Sequence, residues 1–204
     1  GRIVRLGPVV DDILQRHDYP PQVSALLAEA IALTAMLGAT LKFEGKFILQ
    51  TKTDGPVDMI VADFLSPNGV RGYARFNKEK VQALKAPTQQ DLLGKGYLAM
   101  TVDQGSDMER YQGIVPPDGT SLAEAADTYF KQAAKIPTRR RLGSGPLLAR
   151  GDKTPPWRSG ASMVQHPAAE GGDGTVAVST GEHPHGRGRW PREGEGVHGT
   201  RGLH

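Results

Sequence analysis

A long apolar segment near the start of the chain is the feature that most constrains its fold. From Pro21 to Gly38 apolar residues recur at helical spacing and also fill the opposite side of the same helix, namely Val23, Leu26, Leu27, Ala30 and Leu37 on one side and Ile31, Leu33 and Met36 on the other. A helix that is apolar nearly all round is usually buried in a core. The run from 25 to 39 includes Glu29 and Thr34 and is shorter than the ~20 residues that cross a bilayer. We therefore predict a buried helix and no membrane span.

Strand-like segments and turn residues alternate along much of the remaining sequence. A short strand is predicted at 3–6, followed after the long helix by strands at 46–52, 57–64, 70–76, 96–103 and 109–115. Asp54-Gly55-Pro56 and Ser66-Pro67-Asn68-Gly69 separate the first three of the later strands, and such residues favour tight connections. Residues 78–90 are polar and irregular, which is typical of a surface loop with a short helical turn.

A second helix is predicted near 121–135, because Ser121 and Glu124 have the spacing of a capping box. Together with the helix near 21–38, these patterns predict an α+β fold in which antiparallel or mixed sheets pack against a long buried helix and a second, capped helix.

Composition excludes several kinds of site. The chain has 204 residues, a net charge of +3 and no cysteine, so it can form neither disulfides nor thiolate zinc sites and has no cysteine nucleophile. No stretch combines clustered Lys and Arg with aromatic residues, so we predict no specific nucleic-acid partner. The sequence opens with Gly1 and not with methionine, and we expect that further residues preceded it.

The pattern changes after Arg139. The stretch RRRLGSGPLL (139–148) does not have the alternation of a strand. Beyond it, only 161–165 resembles a strand. From 171 to 204 ten of 34 residues are glycine, and too few are apolar to offset the entropy of ordering them. We expect this tail to be disordered and to contribute nothing to the fold; composition alone does not distinguish a reading-frame artefact from a natural glycine-rich linker.

Candidate sites for chemistry are few, and each has a plainer structural interpretation. His17-Asp18 has the residue types of an acid/base pair, but at a helix end before Pro20 such residues usually hydrogen-bond the last carbonyls. Asp58 and Asp63 fall on opposite strand faces by alternation, so a metal site with the Asp54 turn is not expected. The remaining candidates are the Gly94-Lys95-Gly96 turn, the tail histidines His183, His185, His198 and His204, and the arginines at 139–141 with those of the tail, for which we expect at most weak, non-specific binding.

A resemblance to a known family covers residues 1 to about 138. The segments that carry it, in order, are GRIVRL (1–6), HDYP (17–20), LKFEG (41–45), DGPV (54–57), RGYARF (71–76), LLGKGYLAMTVD (92–103), ERYQGIV (109–115), TYF (128–130) and IPTR (136–139). In this order and spacing they resemble the 33-kDa heat-shock proteins, redox-regulated holdase chaperones of the bacterial cytosol. A weaker similarity links WRSGASMVQHP (157–167) to the last strand of that family's domain.

The resemblance implies a stress-response chaperone that acts in the cytoplasm and binds unfolding or oxidatively damaged client proteins, not an enzyme. It places a chaperone body at 1–140, a degraded end of the domain at 141–170 with a strand near 161–165, and the tail at 171–204. Client binding would use exposed apolar surface within 1–140, at residues the sequence leaves unknown. The family's zinc module needs cysteines, so no zinc or other cofactor and no redox switch is expected here. A homodimer stays open, as do two alternative functions: a structural fragment without client binding, and a small-molecule hydrolase that uses His17-Asp18.

Overall fold

The computed structural model describes residues 1–40, 44–67, 69–104, 110–116, 121–134, 138–148 and 155–165. The helices and strands in these ranges are β1 (Arg2–Leu6), α1 (Pro8–Gln15), α2 (Pro21–Gly38), β2 (Lys46–Thr53), β3 (Val57–Leu65), β4 (Gly69–Phe76), α3 (Lys78–Ala83), α4 (Gln89–Leu93), β5 (Gly96–Asp103), β6 (Tyr111–Val115), α5 (Leu122–Ala134), β7 (Thr138–Pro146) and β8 (Trp157–Gln165). The α+β fold class is confirmed.

The strands form two antiparallel sheets. The larger has the order β4-β3-β2-β5-β6 and the smaller has the order β1-β8-β7. The predicted meander over 46–76 is confirmed, since β2, β3 and β4 are neighbours in both sequence and sheet.

Helix α2 lies between the two sheets, and this position explains its apolar sequence. One side contacts β2, β3 and β4, and the other contacts β1, β7 and β8. Leu27, Leu33 and Met36 are all fully buried, and Thr34 satisfies its hydroxyl by donating to the Ala30 carbonyl at 2.7 Å. By length and composition α2 is the one described helix that could also cross a membrane, but 78% of it is buried between the sheets. A core helix that is mostly buried passes the same test of length and composition.

Helix α5 begins as the capping pattern predicts. The hydroxyl of Ser121 accepts a hydrogen bond from the Glu124 amide at 3.2 Å, which satisfies a donor that the first turn leaves free. The helix then packs against β6 and β7.

The prediction for 78–90 was a surface loop with a short helical turn, and the structure has the helical turn as α3 at Lys78–Ala83, while a second short helix, α4, begins at Gln89. In α4, Thr88 and Asp91 make a complete capping box. Gln89, which follows Thr88, donates a hydrogen bond to Glu29 of α2 at 2.5 Å and accepts one from the Leu122 amide of α5 at 3.0 Å. Burial raises the pKa of Glu29 above its ordinary value, although the hydrogen bond from Gln89 opposes this. These tertiary contacts fix the position of α4 against α2 and α5.

The expectation of a disrupted strand after Arg139 is also wrong. Strand β7 continues to Pro146 and pairs with β8 along its whole length, and β8 is longer than the expected 161–165. Gly143 and Gly145 have low strand propensity, but the β8 ladder and the bond from the Ser144 hydroxyl to the Ala25 carbonyl, 2.9 Å, fix the backbone. Because β8 also pairs with β1, the strands β7 and β8 share a sheet with the start of the chain. The domain limits themselves stay predictions, and the tail at 171–204 lies outside the described residues.

Candidate functional site

The larger sheet has one buried face and one face without a helix over its centre. Successive side chains of a strand point to opposite faces, so Phe47, Leu49 and Ile60 point toward α2 while their neighbours point away. We call the face that points away from α2 the outer face. In the described residues, α2 and α5 contact the sheet from its inner side, and α1 flanks the β4 edge.

An almost continuous apolar row crosses the outer face from one edge of the sheet to the other. Strand register places Tyr73 opposite Val61, Val61 opposite Gln50, Gln50 opposite Ala99, and Ala99 opposite Ile114. Side chains directly opposite each other in antiparallel strands share a face and touch. We call these five residues the outer row. Five strands at ~4.8 Å spacing make it about 19 Å long, which is the span of an extended segment of about six residues.

The two ends of the outer row are accessible to other molecules, whereas Val61 and Gln50 are half-buried and Ala99 is only 4% exposed. Tyr73 is 42% and Ile114 57% exposed, and Tyr97 beside the row is 37% exposed. The rows on either side add Met59 and Ile48, which are half-buried. Tyr97 and Ile114 are diagonal neighbours at one end of the row and Tyr73 lies at the other end, and patches of exposed large apolar side chains mark interaction sites.

Charges around the outer row are largely paired. Arg71 bonds Asp63 at 3.0 Å and Arg75 bonds Asp58 at 2.8 Å, both between β3 and β4. At the opposite side of the sheet Arg110 bonds Asp103 at 3.1 Å. The outer face is therefore apolar along its centre, with paired charges at its margins and the exposed Lys52 between Met59 and Tyr97.

A groove of about 410 Å³ continues the outer row past the sheet edge. Val61, Tyr73 and Gly72 line it from the sheet, and Ile13 and His17 line it from α1 and the residues after it. The β4 edge is tied at one point, where the Ala74 amide donates to the Tyr19 hydroxyl at 3.1 Å. Burial raises the pKa of Tyr19, and the Ala74 bond acts in the opposite direction.

The structure separates the two residues of the candidate acid/base pair. His17 makes ring contacts with Tyr19 at 5.2 Å and with Tyr73 at 5.4 Å between centroids. Asp18 is exposed and pairs with Lys78 at 3.4 Å. Although His17 lines the groove, no hydrogen bond within the described ranges joins it to a carboxylate. His17 thus belongs to an aromatic cluster at the end of the outer row, and the geometry does not support the hydrolase alternative.

The two turns considered as sites are structural elements that support each other. The Asp54 carboxylate accepts from the Lys95 amide at 2.6 Å, and the Asp54 amide donates to the Lys95 carbonyl at 2.8 Å. Gly94 has φ of 69°, a conformation that favours glycine.

The expectation that alternation separates Asp58 from Asp63 is wrong. The register is irregular between Val57 and Met59, and both carboxylates pair with arginines of β4. Among the described residues there is no group of three or more His, Asp or Glu that could hold a metal ion. The tail histidines and tail arginines lie outside the described residues.

Comparisons with known proteins give one consistent result. A family model described as Hsp33 protein matches residues 1–171. The chain is 47% identical over 169 residues to the 33 kDa chaperonin of Caulobacter vibrioides, covering 81% of this chain and 55% of that protein. It is 40% identical over 153 residues to the 33 kDa chaperonin of Pseudomonas fluorescens, covering 74% of this chain and 49% of that protein. The chain therefore spans about half the length of the curated relatives it matches.

A solved structure has a similar fold. The crystal structure of the 33 kDa chaperonin, a heat shock protein 33 homolog, from Thermotoga maritima matches with a TM-score of 0.62 and 23% identity. The match covers 78% of this chain and 55% of that chain. At this identity the likeness concerns the fold.

Proposed function

This chain belongs to the Hsp33 family, and from that premise we propose that it is a holdase-type chaperone that binds non-native client proteins through the outer row. One observation carries the proposal: apolar side chains from four of the five strands, with Gln50 on β2 between them, line up on the sheet face opposite α2. Binding to unfolded chains needs exposed apolar surface and no acid/base constellation. We propose that the protein acts in the cytoplasm. Sedimentation measurements would distinguish a monomer from a homodimer.

The chemistry of the outer row fits clients that have lost their fold. An unfolded chain exposes apolar side chains that its native state would bury, and each large one gains about 1.5–3 kcal/mol when water is removed from it. The flat row presents no enclosed pocket of defined shape, so it can accept many sequences. The adjoining groove at His17 and Tyr73 extends the contact area beyond the sheet edge.

Truncating the two exposed ends of the outer row should weaken client holding. In the variant Tyr73→Ser/Ile114→Ser we expect about tenfold more protein to be needed for half-suppression of light scattering by heat-unfolded malate dehydrogenase. The matched control is Leu147→Ser/Leu148→Ser, because these leucines are 54% and 79% exposed but lie outside the larger sheet. The control should behave as wild type, and both variants should keep the wild-type melting temperature to within about 3 °C.

Two outcomes would refute this proposal. An equal loss of client holding in both variants would mean that exposed apolar side chains bind clients wherever they lie on the protein. No suppression by the wild-type chain would favour the alternative of a structural fragment that does not bind clients.

Holding activity should not respond to thiol redox chemistry. The chain has no cysteine that peroxide could oxidise and none that could hold zinc, so we propose that it works without zinc. Suppression of aggregation should be equal in dithiothreitol, in mild peroxide and with a zinc chelator. Met36, Met100 and Met163 are buried, whereas Met59 is partly exposed beside the outer row, so its oxidation would reduce binding and not activate it. An increase on oxidation that thiol reductant reverses would contradict the proposal.

A further inference from the structure

The smaller sheet has an outward face on which arginines gather. Its strands β1, β7 and β8 contain no acidic residue. Alternation and register place Arg5 of β1, Arg158 of β8, and Arg139 and Arg141 of β7 on the side turned away from α2. We call these four residues the basic face. The inward positions between them, such as Ala161 and Met163, are buried against the core.

The centre of the basic face is shallow. Arg141 lies opposite Ser162, which lies opposite Ile3, and Gly143 lies opposite Gly160, which lies opposite Arg5. Ser162 and Gly160 therefore make the centre of β8 shallow, with Arg141 and Arg5 on the strands to either side and Arg158 near one end of β8. At ~4.8 Å between strands and ~3.3 Å per residue along them, the four guanidinium groups project from an area about 10 Å wide and 20 Å long.

The charges of the basic face are not neutralised within the described residues. Arg5, Arg139 and Arg141 are exposed and form no ion pair there, and Arg158 donates only to the Trp157 carbonyl at 2.8 Å. The larger sheet is the opposite case, since its outward arginines Arg71 and Arg75 pair with aspartates. Like charges gathered without counter-charges repel one another, and an anionic partner relieves that repulsion.

The neighbouring side chains indicate which kind of anion fits. Proteins that bind single-stranded nucleic acids combine basic grooves with aromatic side chains on which bases stack, and the basic face has no aromatic residue. Trp157 packs against the core. Two exposed aliphatic residues lie beside the arginines instead, Ile3 at 74% and Val164 at 63% exposure. Guanidinium forks bind carboxylates in a bidentate manner, and the aliphatic residues suit interspersed apolar side chains.

We propose that the basic face binds acidic segments of polypeptide chains, with carboxylates on Arg5, Arg139 and Arg141 and apolar side chains on Ile3 and Val164. The basic face gives the protein a charge-selective contact surface on the sheet remote from the outer row. This proposal rests on the proposed function only because unfolded clients are the expected source of such segments.

Direct binding of a peptide tests the proposal without any client. The probe is a fluorescein-labelled peptide of alternating Glu and Ala, followed by fluorescence anisotropy at low salt. Wild-type protein should bind it, and the affinity should fall with added salt because screening shortens the range of the attraction. Arg5→Gln/Arg139→Gln/Arg141→Gln should bind at least about tenfold more weakly. The control Lys80→Gln/Lys85→Gln/Lys95→Gln removes the same charge at exposed sites elsewhere and should stay within about twofold of wild type.

The remaining outcomes would overturn the proposal. Absence of peptide binding, or equal loss in the lysine control, would leave no specific role for the basic face. Tighter arginine-dependent binding of a polyuridylate oligonucleotide, or of phosphatidylserine vesicles, would assign it to a different partner. Failure here is distinguishable from failure of the outer row, because the arginine variant should still suppress aggregation of a client that lacks acidic segments and the Tyr73→Ser/Ile114→Ser variant should still bind the peptide.

Discussion

Replacing Asp127 with alanine is expected to lower the free energy of unfolding by about 3–5 kcal/mol. Asp127 of α5 accepts a hydrogen bond from Nη1 of Arg140, whose side chain is fully buried in β7. The Arg140 guanidinium also lies 4.2 Å from the centroid of the Phe130 ring, while its Nε and Nη2 have no hydrogen-bond partner in the described part of the chain. Burial lowers the pKa of Arg140, and Asp127 acts against this by stabilising the charged form. Without Asp127 the charge would stay buried and uncompensated.

Replacing the arginine instead should have the opposite outcome. Arg140→Met removes the buried charge and its two unpartnered nitrogens, and Asp127 can then be hydrated because 23% of its side chain is exposed. Buried ion pairs replaced by apolar residues are often neutral or stabilising by about 1–4 kcal/mol. The double variant Asp127→Ala/Arg140→Met should therefore recover the stability lost in Asp127→Ala. Urea unfolding of all four proteins measures this, and a double variant as unstable as Asp127→Ala would show that the aspartate acts in another way.

This ion pair also shows where the sequence was a poor guide to the fold. Arg140 stands at an inward position of β7, and a charged residue there hides the alternation by which a half-buried strand is recognised. The strand was hard to predict because the burial of Arg140 depends on Asp127, which lies 13 residues earlier on α5. Contacts with β8 and with the Ala25 carbonyl of α2 also decide the structure of 138–146.

Helix α2 was predictable for the opposite reason. Its apolar residues surround the whole helix, and that pattern has few solutions other than burial on all sides. The strands at 46–76 were likewise predicted, because turn residues mark their ends and antiparallel neighbours need only short connections.

The outer row could not be predicted from the sequence. Each of its members is an unremarkable residue in its own strand, and only the register of four strand pairs brings them into line. A one-residue shift in any pair would break the row. One signal was present, since Ile48, Val61 and Ile114 occupy positions that alternation assigns to the solvent face. Expectation of client binding within 1–140 came from the family resemblance, which names no residues.

Replacing Gly113 with alanine should also destabilise the protein, by about 2–3 kcal/mol. Gly113 points inward from β6, where α5 packs on the sheet, and a Cβ atom at this position would overlap the ring of Tyr129. Tyr129 is only 6% exposed and stacks edge-on against Phe130, so it has little room to move. The ring must leave its rotamer or α5 must withdraw from the sheet, and both lose buried contact. We expect the melting temperature to fall by about 5 °C or more.

Two further variants separate this steric effect from a general cost of removing glycine from a strand. Gly143→Ala in β7 meets no atom within 4 Å and should leave stability unchanged or slightly higher, because alanine restricts the unfolded chain more than glycine does. Tyr129→Leu shortens the ring side chain, so it should lower stability by itself but cost less when Gly113→Ala is already present. Strictly additive losses in the double variant would mean that the two residues do not contact each other. Coupling of the expected sign would instead establish that close approach at Gly113 holds α5 on the sheet, and with it the Asp127 carboxylate that compensates Arg140.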